Sequence, residues 1–219
     1  MSKIAIITDV NAGLDYLEKQ YDIHVLRSII NFGTEHYVDG IGIKADEFYQ
    51  RIAKITDSSK IPSTSAPTIG EAMELLEKLI DEGYTDAIMY SISNKMSSIY
   101  EMMCTLKEEY EGKINLHVVD TLTSVYAQAY MAIKAREMAD EGKSVEEIID
   151  YSNFLIKNNH LYFVVDNLNY LIKNGRLSAT AGTIAALLKI KPILEINTEG
   201  SIVACEKVRT HSRAVETAY

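Results

Sequence analysis

Three stretches of this chain, Lys3 to Thr8, Asp86 to Ile92 and Ile114 to Val119, are apolar almost without interruption. Each gives way to a polar link and then to a helix-like segment. A strand with one dry face alternates apolar and polar residues, whereas a strand buried on both faces does not. Repeated buried strands separated by helices predict a mainly parallel sheet with right-handed crossovers and helices on both sides.

Local signals fill in the rest of the order. Asp9 to Gly13 closes the first strand, Leu14 to Gln20 reads as a short helix and His24 to Ile30 as a second strand. Phe32 to Gly42, with three glycines, reads as a loop, and Ala45 to Ile55 as a helix. The Ser/Thr/Pro-rich stretch Thr56 to Thr68 is the most polar in the protein and reads as a loop. Capping boxes are expected at Thr68–Glu71, opening a helix with Ala72, Leu75, Leu76 and Leu79 inward, at Ser98–Glu101 and at Ser144–Glu147. A further helix is expected over Thr123 to Glu141.

The rhythm changes after His160. Leu161 to Val165 reads as a strand, Leu168 to Lys173 and Ala179 to Leu188 as helices, and Pro192 to Ile196 with Ile202 to Val208 as a β-hairpin. A helix is expected to start at Ser212. We therefore expect an α/β protein of two lobes: residues 1–158 forming the larger, mainly parallel one, and 159–219 a smaller α/β lobe with a hairpin.

A chain of 219 residues with 47% hydrophobic character can bury a sizeable core. Its formal charge of -9 opposes nucleic acid and anionic membrane surfaces. The start MSKIAIITD has no signal-peptide pattern and no apolar run is long enough to span a membrane, so the cytoplasm is the expected compartment. Cys104 and Cys205 lie far apart without a CxxC or metal-ligand spacing and are expected as buried thiols.

In an open parallel sheet, ligands bind beyond the carboxyl ends of the strands, here the loops 9 to 13, 56 to 68, 93 to 98 and 120 to 123. Two of these are rich in hydroxyls. Ser63, Thr64, Ser65, Ser93, Ser97 and Ser98, with the N–H groups of the helix starts behind them, could receive a carboxylate or phosphate. Capping competes with that role, most of all at Ser98 and Thr68. There is no GxSxG to activate a serine, and no GxxxxGK[ST] or GxGxxG to cradle a nucleotide. Asp9 and Asp120 end strands, where turn initiation competes with a metal site; no metal is expected.

Ile4 to Asp9, Pro62 to Pro67, Ile92 to Tyr100 and His117 to Thr121 resemble, in order, the motifs of the DegV family. Asn169 to Ser178, Leu188 to Leu194 and Glu206 to Thr210 are similar to that family's second half. Val10, Ala66 and Ser98 stand where the family usually has serine, glutamine and glycine. The resemblance implies a DegV-like (EDD) fold that holds a long-chain fatty acid, its acyl chain in an apolar tunnel between two lobes, and presents it to a separate fatty acid kinase. It implies no catalytic centre and no cofactor in the carrier itself. By the resemblance, Thr64 and Ser97 contact the carboxylate, Ser65 lies in the same loop, and Arg176 sits near the head group or the kinase docking face. It also implies some tens of residues beyond Tyr219, so that the second lobe reads as truncated.

Hydroxyl donors can hold a carboxylate while leaving one oxygen open to a phosphoryl donor. Each buried CH₂ contributes roughly 0.8 kcal/mol, so a sixteen-carbon tail gives on the order of 10 kcal/mol before ordering costs. Met96, Met102, Met103, Ile184, Leu187, Leu188 and Ile193 are candidate tail-lining residues, with plain core packing as their competing role. Two other function classes stay open: an enzyme on a small phosphorylated or acyl substrate, with Asp9, Asp120 and a histidine converging, and a ligand-free interaction module.

Overall fold

The computed structural model describes residues 3–177, 187 and 191–208. Its central sheet is parallel throughout. β1 (Ile4–Asp9) lies between β2 (His24–Leu26) and a later strand spanning Asp86–Ser91, whose other neighbour spans Asn115–Asp120. The absence of alternation in the sequence is explained by burial on both faces. Ala5, Ile7, Ala87 and Met89 join one core, and Ile4, Ile6, Ile88 and Tyr90 join another on the opposite face.

A smaller antiparallel sheet places β3 (Ile29–Phe32) between β4 (Glu35–Val38) and β5 (Ser63–Ser65). It corrects two expectations, since both Phe32 to Gly42 and Thr56 to Thr68 contain strands. Gly33, at φ +62, lets β3 turn into β4 within two residues. β5 is Ser-Thr-Ser with all three residues exposed, so it carries no hydrophobic pattern. Its place is fixed by pairing with Ile29 to Asn31. The expected single strand His24 to Ile30 is two strands broken at Arg27 and Ser28.

Helices cover the central sheet as expected. After α1 (Ala45–Ile52), α2 (Ile69–Asp81) contributes Ala72, Leu76 and Leu79 to the first core. The strands Asp86–Ser91 and Asn115–Asp120 are β6 and β7, and α3 (Ile99–Glu109) between them adds Ile99, Met103 and Leu106 on the same side. On the other side lie α4 (Val125–Asp140), with Met131, Ala132 and Ala135, and α5 (Val145–Lys157), with Ile148. The helix expected over Leu14 to Gln20 shrinks to one 3₁₀ turn, Leu14–Tyr16.

A third sheet holds β9 (Lys191–Ile196) between β8 (Leu161–Phe163) and β10 (Ile202–Val208), antiparallel to both, so the expected hairpin is present. The short α6 (Asn169–Lys173) precedes it. Leu168, Leu177, Leu187, Leu194, Ile196 and Ile202 belong to the same buried cluster as Ile92, Met96 and Met103. Apart from Leu187, the helices expected over Ala179 to Leu188 and from Ser212 lie outside the described residues. Contrary to expectation, Cys205 is exposed and Cys104 half-buried; neither is in a disulfide. Among the described residues no helix is long and apolar enough to cross a membrane.

Candidate functional site

The sheet order β2-β1-β6-β7 means that the chain leaves β1 in one direction and returns on its other side. The reversal opens a crevice between the carboxyl ends of β1 and β6, the place where an open α/β sheet binds ligands. A cleft of about 250 Å³ lies there. Asn11 enters it from the turn after β1, Ser28 from the break between β2 and β3, and Thr64, Ser65 and Ala66 from β5 and its end. Ile92, Met96, Ser97 and Ser98 enter from the β6–α3 link, and Arg176 from the segment after α6.

The expected residues Thr64, Ser65, Ser97 and Arg176 thus border one cavity, although they come from three segments far apart in the chain: β5, the β6–α3 link and the stretch after α6. Ser65 Oγ accepts a hydrogen bond from Asn31 Nδ2 at 3.0 Å, which leaves its own proton to donate. Arg176 donates through Nε to Met96 O at 3.0 Å and through Nη1 to Asn174 O. Lys173 Nζ reaches Ser59 O and Ile61 O at 2.7 and 2.8 Å, so the end of α6 stitches the β5 loop to the β6–α3 link. Thr64 also borders a second cavity of about 280 Å³, with Ser63, Tyr16, Phe48 and Tyr170.

Other candidates have different roles. Thr68 caps α2, accepting from Glu71 N at 3.2 Å while Glu71 Oε2 accepts from Thr68 N at 2.8 Å. Ser98 is not a cap: its side chain makes no hydrogen bond to the first turn of α3, and it borders the cleft instead. Ser93 is fully buried and donates to Gly200 O at 2.7 Å, latching the β9–β10 turn onto the β6–α3 link. Asp9 and Asp120 are turn initiators. Asp9 accepts from Asn11 N and Ile92 N, and Asp120 from Leu122 N at 3.0 Å and Asn94 N at 3.3 Å. Burial pushes the Asp120 carboxyl up, and those backbone donors pull it back. Among the described residues no three or more His, Cys, Asp or Glu side chains are grouped so as to hold a metal ion.

Among the tail candidates, Met96 borders the cleft and reaches the core, Met103, Leu187 and Ile193 are buried, and Met102 is partly buried against the core. Ile184 and Leu188 lie outside the described residues. Sequence reasoning missed Asn11 and Ser28. Asn11 sits in a loop already marked by its position after β1. Ser28 looked like mid-strand because no glycine or proline marks the break beside it.

One family matches nearly the whole of this chain, which spans about three quarters of the length of its relatives. Residues 3–219 match DegV, a family described as uncharacterised protein. A DegV domain-containing protein of Streptococcus pneumoniae is 35% identical over 216 residues, 98% of this chain and 75% of that protein. The fatty acid binding DegV family protein of Streptococcus agalactiae superposes with a TM-score of 0.89 at 32% identity, covering 99% of this chain and 76% of that one. DegV, a fatty acid binding protein from Bacillus subtilis, gives 0.85 at 32% identity over the same shares. With motifs, topology and this match in agreement along the sequence, the chain belongs to the DegV family.

Proposed function

We propose that this protein binds a long-chain fatty acid, its carboxylate in the cleft between β1 and β6 and its acyl chain in the apolar core beneath. The observation that carries this reading is the convergence of Thr64, Ser65, Ser97 and Arg176 on one small polar cavity that Ile92 and Met96 also line. At about 250 Å³ the cleft suits a head group, being smaller than the roughly 300–1,000 Å³ of whole-ligand pockets. Ile92 and Met96 also belong to the core cluster, so the polar cleft borders apolar side chains.

Hydroxyls and one guanidinium hold a carboxylate without enclosing it. The protein is then a carrier with no chemistry of its own that offers the carboxylate to a separate kinase in the cytoplasm. Relatives of this family that are described as fatty acid binding share the fold over nearly all of this chain. The test is mass spectrometry of an organic extract of purified protein beside a Thr64→Ala/Ser97→Ala double variant. A stoichiometric long-chain fatty acid in the wild type, lost in the folded variant, is expected. Wild-type protein that carries none and takes up none when offered overturns the reading.

A further inference from the structure

Asp9, the last residue of β1, is entirely buried and does not border the cleft. Its carboxylate accepts four hydrogen bonds. Asn11 N at 3.0 Å and Asn11 Nδ2 at 2.7 Å meet Oδ1; Ile92 N at 2.8 Å and Gln128 Nε2 at 3.0 Å meet Oδ2. Every partner is an N–H, so both oxygens act as acceptors. Burial pushes the carboxyl up, and the bonds from Ile92, Asn11 and Gln128 pull it down.

Two of these donors, Asn11 and Ile92, border the cleft, one on each side of the gap between β1 and β6. Gln128 in α4 supports the carboxylate from behind, donating also to Thr8 Oγ1 and Tyr90 O. Its own Oε1 is buried with no partner in the structure. Leaving an acceptor unpaired is costly, so the amide is held this way round by what its Nε2 meets. A buried anion next to an anion-binding cleft also opposes its ligand electrostatically. Turn initiation alone accounts for the Asn11 bonds. It does not account for a carboxylate that reaches across to β6 and is backed by an oriented glutamine.

We propose that Asp9 is the positioning residue of the head-group cleft, clamping the loops after β1 and β6 at the spacing in which their polar groups meet the lipid carboxylate. This rests on the fatty acid reading above. Asparagine, though nearly the same size, cannot replace it: one of its two terminal atoms is a donor and would face donors, so one loop is released.

The experiment uses oleic acid labelled with ¹³C at the carboxyl carbon and, in a second sample, at the terminal methyl, bound to wild type, Asp9→Asn and Ile148→Ala. Ile148 is buried on the α4–α5 side of the sheet, and its truncation lowers stability without touching the clamp. In Asp9→Asn the carboxyl resonance is expected to move or broaden while the methyl resonance stays, with about a tenfold rise in dissociation constant, the scale of one charged hydrogen bond. In Ile148→Ala the carboxyl resonance is expected to stay. Gln128→Met removes one support from Asp9 without bordering the cleft; it should shift the same resonance by less, and it carries the test if Asp9→Asn does not fold. A carboxyl resonance unmoved in the folded Asp9 and Gln128 variants, or moved together with the methyl, overturns the positioning role. Wild-type protein that binds no oleic acid overturns the fatty acid reading, and the positioning role with it.

Discussion

Gly200 sits at φ +81 in the turn between β9 and β10, against Ser93 and Leu122. An added Cβ would overlap Ser93 Oγ and lie 3.2 Å from Leu122 Cδ2. Gly83 has nearly the same backbone, φ +78, with nothing within 4 Å. Gly83→Ala should therefore cost only the backbone part, about 1 kcal/mol, and Gly200→Ala roughly 1–3 kcal/mol, with urea unfolding as the check. Charge adds a second prediction at this scale. Arg27 donates to both Asp15 oxygens at 2.7 and 2.8 Å and holds that carboxyl below its ordinary 3.8. A depressed carboxylate stabilises the fold above its unfolded value, and the effect is lost as pH falls through the folded one. Asp15→Asn should thus be less stable than wild type at pH 7, and the gap should shrink below pH 3.8; equal stabilities at pH 7 would remove the pair from the account. A place at the cleft was legible where a motif pointed to it, as at Thr64 and Ser97. It was not legible at Ser28, whose role comes from a strand break that only the tertiary pairing of β3 reveals.

Helix starts show how far local sequence reaches. Thr68–Glu71 and Ser144–Glu147 form reciprocal capping boxes, as their spacing predicts. Ser98–Glu101 has the same pattern and forms none, because Ser98 adopts φ -82, ψ 5 rather than the extended geometry a cap needs. Thr68→Ala should cost about 1 kcal/mol, whereas Ser98→Ala should leave the melting temperature of the lipid-free protein within measurement scatter. Equal losses would mean that Ser98 does cap α3 in solution. The long elements of the central sheet were readable because burial on both faces writes itself into composition. β5 was not, since a short exposed strand is held by a pairing partner distant in sequence and context overrides propensity there, and β4, which pairs with β3 across the Gly33 turn, is only four residues long and opens on the exposed Glu35 and His36.

The three sheets meet around the cleft: β1 and β6 from the central sheet, β5 from the second, and the β9–β10 turn latched through Ser93 beside them. We propose a division near residue 158, where the parallel order gives way to the antiparallel third sheet; the two lobes share one core, for Leu168, Leu177, Leu194 and Ile202 belong to the buried cluster of α2 and α3. The antiparallel third sheet was visible in the sequence as a change of rhythm after His160. The shared core was not, since nothing local says which apolar faces meet. A ligand seated at such a junction binds the assembled form and not the unfolded chain. At a free concentration one hundred times its dissociation constant it adds about 2.7 kcal/mol, which for a chain of this length raises the melting temperature by roughly 5–11 °C. Oleic acid should produce that rise in wild type and little in Thr64→Ala/Ser97→Ala. Amide exchange should slow most at 63–66, 92–98 and the β9–β10 turn, because these segments border the cleft or are latched to it. Protection confined to 63–66 and 92–98 would show that the second lobe moves independently of the head group, and the lipid would then be held by the first lobe alone.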